Sequence, residues 1–153
     1  MNGKQALGNM LGGVMLAACA AFAAEPFTLS SPAFKDGTPL QKKNAGNNKA
    51  NPNCVGDNVS PPLSWANPPV GTKSYALTMV DAEGRGGAGS IHWVGYGIPV
   101  SVNGFAEGEI SKPSPNDVGG KGSAGLAFYS GPCTSPGAPH QGTTGLVGLF
   151  GSP

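Results

Sequence analysis

The sequence lacks any run of positive charge longer than the pair Lys42-Lys43. Once Lys4 is removed with the N-terminal leader described below, eight Lys and Arg residues balance eight Asp and Glu residues. Binding to a nucleic acid backbone needs clustered positive charge. We therefore expect no nucleic acid among the partners of this protein.

Two further absences narrow the class of protein. The apolar stretch from Leu11 to Ala24 is shorter than the ~20 residues that a membrane-spanning helix needs, and no later segment would span. A G-x-S-x-G motif is also missing, since Lys121 stands near Ser123 where the motif needs glycine. Neither a membrane-spanning protein nor a serine hydrolase of that type is expected.

The first feature that is present is a secretory signal, because Lys4 is the only charged residue before Glu25. Ala21-Phe22-Ala23 supplies the small residues of an A-x-A cleavage site, which predicts a signal peptide over residues 1–23. Leu16-Ala17-Ala18-Cys19 offers an alternative, because it resembles a bacterial lipobox. In that case residues 1–18 are removed and a lipidated Cys19 holds the domain on a membrane.

After the leader, apolar residues follow the period of strands and never sustain the period of a helix. The predicted strands are Phe27–Ser30, Ser74–Val80, Ile91–Ile98 and Leu126–Tyr129. The Gly-, Pro- and Asn-rich segments between them are predicted loops. With one domain as the default for 153 residues, the mature chain is predicted to be all-β.

Two ionisable side chains fall on the longer strands. Asp81 ends the first of them, and His92 lies in the second on the face opposite Trp93. Across an antiparallel pair, Asp81 would orient or charge the imidazole of His92. The alternative from pattern alone is that Asp81 forms a turn and His92 is a packing residue.

A stiff loop from Gly131 to His140 contains three prolines and two glycines. It presents backbone N–H groups and His140, and such concavities bind anions. The two cysteines of the mature chain, Cys54 and Cys133, are expected to form a disulfide in an oxidising compartment. Two buried free thiols are the alternative.

Together these motifs amount to a resemblance. The order and spacing of Cys54 through Trp65, then Asp81, His92-Trp93, and Gly131-Pro132-Cys133 through His140 look like a phosphatidylethanolamine-binding protein. Within that family, the chain is similar to the bacterial, Raf kinase inhibitor-like branch. The resemblance covers the chain from about Phe27 to His140.

The resemblance implies a Greek-key β-sandwich, in which a large antiparallel sheet packs on a smaller one, as a domain over residues 24–140. It also implies a non-enzymatic protein without a cofactor, whose small pocket takes phosphate-type anions or phospholipid head groups. The ligand-binding residues implied are Asp81, His92, Trp93, Gly131, Pro132 and His140. Binding is expected to strengthen at mildly acidic pH.

The leader places such a protein in the periplasm or outside the cell, or on a membrane if Cys19 is lipidated. The family name also records kinase inhibition, so inhibition of a partner protein is a further expectation. An intracellular kinase is not expected as that partner, because an exported protein would not meet it.

The sequence departs from the family pattern in two places. A Gly-rich loop containing Arg85 follows Asp81, and Arg85 is either a cation at the pocket rim or a solvated surface residue. After His140 the sequence becomes Gly-rich, with Gly142 at a position where the family has tyrosine. We therefore expect residues 141–153 to be an atypical tail, with the last strand and C-terminal helix of the family missing through truncation or a frameshift.

A second function from a different class uses the same residues. Asp81, His92 and His140 have the composition of a site with two histidines and one carboxylate, which binds iron or zinc. The alternative is therefore a metal-dependent enzyme.

Overall fold

The computed structural model describes residues 25–135, 137 and 140–149, which form two antiparallel sheets. The strands are β1 (Thr28–Ser30), β2 (Leu63–Ala66), β3 (Ser74–Asp81), β4 (Ser90–Pro99), β5 (Gly104–Phe105), β6 (Val118–Gly120) and β7 (Gly142–Leu149). The small sheet has the order β1-β2-β5 and the large sheet the order β6-β4-β3-β7. The predicted signal peptide, with Cys19, lies outside the described residues.

In residues 25–149, as far as they are described, three short 3-10 helices lie in the loops, at Lys42–Asn44, Gly84–Gly87 and Glu109–Ser111. Within the described ranges, no helix has the length and apolar character needed to cross a membrane.

The centre of the large sheet is the antiparallel pair of β3 and β4, both predicted from their alternation. Tyr75, Leu77 and Met79 of β3 are buried, while the residues between them are half-buried or exposed. In β4, Trp93 is buried and Tyr96 on the opposite face is exposed. A two-residue period therefore sends one face of this sheet into the core.

Aromatic side chains join the two sheets. Trp65 of β2 meets Tyr75 of β3 edge-on, with ring centroids 5.5 Å apart, and Trp93 of β4 meets Phe105 of β5 in the same way at 5.6 Å. Such pairs contribute roughly 0.5–1.5 kcal/mol each beyond the area they bury. The predicted arrangement of a large antiparallel sheet on a smaller one is confirmed.

The prediction that the last strand is missing was wrong. Residues Gly142–Leu149 form β7, which pairs with β3 along its whole length, from Ser74 opposite Leu149 to Asp81 opposite Gly142. Leu146 packs against the core, whereas Val147 and Leu149 remain exposed. The strand has no apolar alternation of its own, and the open edge of β3 supplies the hydrogen-bonding partners that define it.

The prediction of a strand over Leu126–Tyr129 is also wrong, because this segment is irregular. Its last residue is nevertheless fixed firmly. The ring of Tyr129 is fully buried, its hydroxyl donates to the carbonyl of Asn44 at 2.7 Å, and its N–H donates to the carbonyl of Ile110. These partners lie in two of the short 3-10 helices, so Tyr129 belongs to the core without joining a sheet, whereas Leu126 and Ala127 are exposed.

Candidate functional site

A cavity of about 290 Å³ opens where the ends of β3 and β4 meet the loop after Gly131. We refer to it as the histidine cavity because both histidines of the chain line it. Among the described residues, the lining consists of Asp81, Glu83, Arg85, Gly86, Ser90, His92, Pro132, Cys133, Thr134, Ser135 and His140. Most of these side chains are polar or charged, which suits a polar ligand.

His92 is held by the loop that follows Tyr129. Its Nδ1 lies 2.8 Å from the carbonyl oxygen of Ser130, and its own carbonyl accepts a hydrogen bond from the Ser130 N–H. A carbonyl can only accept, so Nδ1 carries the proton. The other ring nitrogen, Nε2, is shielded from solvent and has no hydrogen-bond partner among the described residues.

Asp81 pairs with His140 and not with His92, which corrects the partner predicted from the strands. Its Oδ2 lies 2.8 Å from His140 Nδ1, and its Oδ1 accepts from the N–H groups of Glu83 and Gly84, each at 2.9 Å. The Asp81 side chain is buried, whereas that of His140 is 31% exposed. Asp81 therefore orients the more accessible of the two imidazoles.

These contacts keep Asp81 ionised. Burial by itself would raise the pKa of Asp81, but the hydrogen bond from His140 and the N–H group of Glu83 oppose it. The charge of His140 and the N–H group of Gly84 act in the same direction, and the pKa lies below its ordinary value of 3.8 as a result. A charged carboxylate accepts from Nδ1–H of His140 and leaves Nε2 of that ring for a ligand.

The part of the wall formed by the loop after Gly131 is anchored to a distant segment of the chain. Cys133 forms the predicted disulfide with Cys54, which is 79 residues earlier in the sequence. Next to it, the carbonyl of Pro132 accepts a hydrogen bond from the N–H of Gly46 at 2.9 Å. The Asn53 side chain donates to the hydroxyl of Ser135 at 3.2 Å. The wall is therefore covalently and non-covalently fixed.

Two of the predicted ligand-binding residues lie away from the cavity. Trp93 is buried between the sheets, against Phe105. Gly131 packs on the backbone of residues 44–46, where a Cβ would overlap the carbonyl oxygen of Asn44. Glycine is thus needed at 131 for contact between two loops, and neither residue contributes to the cavity lining. Asp81, His92, Pro132 and His140 do lie on its wall.

Five further polar residues on the wall were not singled out as ligand-binding residues, namely Glu83, Arg85, Ser90, Thr134 and Ser135. The sequence left open whether Arg85 lies at the pocket rim or is a solvated surface residue, and the structure places it on the cavity wall. Thr134 and Ser135 belong to the stiff loop and follow the disulfide cysteine. The only indication of Glu83, Arg85, Thr134 and Ser135 in the sequence was that they belong to the loops next to the two histidines.

A metal site made of Asp81, His92 and His140 finds no support in the geometry. In the parts of the chain that the structure describes, no three His, Cys, Asp or Glu side chains are grouped so that they could hold a metal ion. Asp81 is not available as a ligand, because both of its carboxylate oxygens already take part in hydrogen bonds within the protein.

Comparison with known proteins agrees with the fold. Residues 30–147 match the family model described as phosphatidylethanolamine-binding protein. LppC of Mycobacterium tuberculosis, whose name includes the word lipoprotein, is 35% identical over 118 residues, which are 75% of this chain and 51% of LppC. YbcL of Escherichia coli is 36% identical over 95 residues, which are 58% of this chain and 51% of YbcL. The chain spans about half the length of these relatives.

Solved structures show the same likeness. The crystal structure of Escherichia coli YbcL, described as a new member of the mammalian PEBP family, superposes with a TM-score of 0.72 at 28% identity and covers 80% of this chain and 76% of YbcL. The homologue CT736 of Chlamydia trachomatis superposes with a TM-score of 0.66 at 31% identity, covering 80% of this chain and 74% of the homologue.

Proposed function

Because the chain belongs to the phosphatidylethanolamine-binding protein family, we propose that it is an exported, non-enzymatic protein that binds phosphate-type anions or phospholipid head groups in the histidine cavity. One observation carries this proposal. Two imidazoles on one cavity wall each have Nδ1 engaged by an acceptor of the protein, Ser130 for His92 and Asp81 for His140. Neither Nε2 has a hydrogen-bond partner among the described residues, and that of His92 is a buried unsatisfied atom with which a ligand would pair.

The tautomers make anion binding depend on protons. A neutral imidazole whose Nδ1 carries the hydrogen has a bare lone pair on Nε2, which would repel a phosphate oxygen. Protonation converts Nε2 into an N–H donor and adds a positive charge. A phosphate group bound to His92 and His140 would therefore bring protons with it, and its affinity would rise as the pH falls.

The other charged groups of the wall fit a phosphate ligand with a cationic end. Asp81 has both oxygens occupied by hydrogen bonds from the protein, so it acts on His140 and not on the ligand. The carboxylate of Glu83 accepts only from the N–H of Gln141, at 3.3 Å, among the described residues. Glu83 is the carboxylate on which an ammonium group would bind, and Arg85 is the permanent cation for a phosphate.

Thermal unfolding in inorganic phosphate tests the proposal. At ten times the dissociation constant a ligand stabilises the folded state by about 1.4 kcal/mol, which raises Tm by several degrees. We expect this rise in phosphate, relative to chloride at equal ionic strength, to be larger at pH 6 than at pH 8. Equal midpoints in phosphate and chloride at both pH values would refute the proposal.

A matched variant separates the ligand contact from the fold. In His92→Asn, the amide can donate to the carbonyl of Ser130 as Nδ1 does, but no group replaces Nε2. We expect this variant to fold with a Tm near that of the wild type and to lose most of the phosphate-dependent rise. His92→Gln, which places its amide near the position of Nε2, should retain more of that rise.

Export and anchoring belong to the same proposal. The relative LppC has lipoprotein in its name, and this supports a protein that is secreted, periplasmic, or anchored through Cys19. Mass spectrometry of the processed protein separates these alternatives, because cleavage after Ala23 leaves an unmodified Ala24, whereas lipobox processing leaves a lipidated Cys19. Inhibition of a partner protein stays a prediction of the family resemblance.

A further inference from the structure

Arg85 is the only arginine in the chain, and it lies on the wall of the histidine cavity. Its backbone has φ 55° and ψ 38°, the left-handed conformation that residues with a side chain rarely adopt. Glycines occupy positions 84, 86, 87 and 89 around it. In this loop, glycine would accept the conformation at position 85 with less strain, yet arginine occupies it.

Hydrogen bonds hold the loop around Arg85 at both ends. The N–H of Gly84 donates to Asp81 Oδ1, and the carbonyl of Gly84 accepts from the N–H of Gly89, both at 2.9 Å. A Cβ at Gly84 would lie 2.6 Å from the hydroxyl of Ser90, so only glycine fits beside the cavity there. The loop is thereby tied to the same carboxylate that orients His140, and the exposed Arg85 lies on the wall of the same cavity.

We propose that Arg85 is a specificity-determining residue that makes the histidine cavity prefer a terminal phosphate group to a phosphodiester. This inference rests on the proposed function. Three cationic donors come from three elements: His92 from β4, His140 from the residues before β7, and Arg85 from the loop after β3. A terminal phosphate presents three unesterified oxygens and up to two negative charges, whereas a diester presents two oxygens and one charge. Three separate donors match the terminal group.

Arg85 also differs from the histidines in its dependence on pH. A guanidinium remains protonated throughout the physiological range, so its attraction to an anion does not fade as the pH rises. In contrast, His92 and His140 donate through Nε2 only when they are protonated. The preference for a terminal phosphate should therefore persist at pH 8, where phosphate affinity as a whole is weaker.

Calorimetric titration with methyl phosphate and dimethyl phosphate tests the inference. At pH 6 and constant ionic strength, where protonated His92 and His140 act as donors together with Arg85, we expect the wild type to bind methyl phosphate at least tenfold more tightly than dimethyl phosphate. Arg85→Gln should reduce this ratio to about one to threefold. Arg85→Lys keeps the charge but lacks the planar fork, and should give an intermediate ratio. Lys121→Gln removes an exposed cation that does not line the cavity, and should leave the wild-type ratio.

Arg85→Gly separates binding from folding. Glycine adopts a positive φ without the steric cost, so this variant should unfold at the same Tm as the wild type or higher while losing the preference. If the wild type binds both phosphates and either Arg85→Gln or Arg85→Gly keeps the tenfold ratio, the role of Arg85 is refuted and the proposed function stands. If the wild type binds neither phosphate at pH 6 or pH 8, both are refuted.

Discussion

The disulfide between Cys54 and Cys133 should supply a large share of the stability of this domain. The cross-link closes a loop of 79 residues. In the chain-entropy model, breaking a cross-link that closes a loop of that length lowers the free energy of the unfolded chain by about 4.5 kcal/mol at 25 °C, because the chain regains conformational entropy. Domains of this size are stabilised by only about 5–15 kcal/mol in total. Replacing both cysteines by alanine should leave a marginal fold.

The folded state should change little, because hydrogen bonds hold the same segments together. Gly46 N–H still donates to Pro132, the Gly131 N–H still donates to the side chain of Asn58 at 2.7 Å, and Asn53 still contacts Ser135. The effect therefore belongs mainly to the unfolded state. An unfolded chain without the cross-link is more expanded, so the dependence of the unfolding free energy on urea, the m-value, should increase.

Urea unfolding of the wild type and the double alanine variant measures both quantities. We expect a loss of about 4 kcal/mol together with a larger m-value, and the double serine variant should give a similar loss. A loss below about 1 kcal/mol with an unchanged m-value would refute the reasoning.

Three other predictions concern single residues. Asp81→Asn removes the charge that holds His140, and should lower the unfolding free energy at pH 7 by about 1–3 kcal/mol. Because the pKa of Asp81 is lowered in the folded state, its stabilisation is present above the unfolded pKa and is lost as the pH falls through the folded value. Urea titrations between pH 5 and pH 2.5 should show a flatter decline in the variant, and equal declines would contradict this linkage. Gly131→Ala should destabilise the domain by more than 1 kcal/mol through overlap with Asn44, and a thermal midpoint equal to that of the wild type would show that the loop yields freely. Tyr129→Phe leaves the carbonyl of Asn44 without its buried donor and should cost about 1–3 kcal/mol in urea unfolding, whereas a neutral change would mean that water replaces the hydroxyl.

The strands that could be predicted are those whose own sequence carries the pattern. β3 and β4 alternate because one face of each is buried and the other is not. β7 could not be predicted in this way, because its inward positions include Thr144 and Gly148 while Val147 and Leu149 face outward. The hydrogen bonds of β3 define this strand, and a partner that is more than 60 residues away leaves no local signal.

The candidate site likewise combines features that could be predicted from the sequence with features that could not. The strand pattern predicted only that Asp81 would approach His92, and it was the family resemblance that placed His140 in the same pocket. Which of the two histidines Asp81 would contact depended on the return of the chain to the edge of β3, where Asp81 lies opposite Gly142 and His140 immediately precedes that strand. The alternation of β4 predicted that Trp93 faces away from His92, and its burial between the sheets follows from that alternation.

The sequence by itself determined the all-β class, the two central strands, the pair of cysteines and the two histidines, because alternation, turn residues and side-chain chemistry are local properties. Only the tertiary structure decided that the Gly-rich end forms a strand, that Asp81 serves His140, and that Arg85 lies on the cavity wall. Each of these depends on contacts between segments far apart in the chain, and the free energy of such contacts belongs to the assembled fold and not to any one segment.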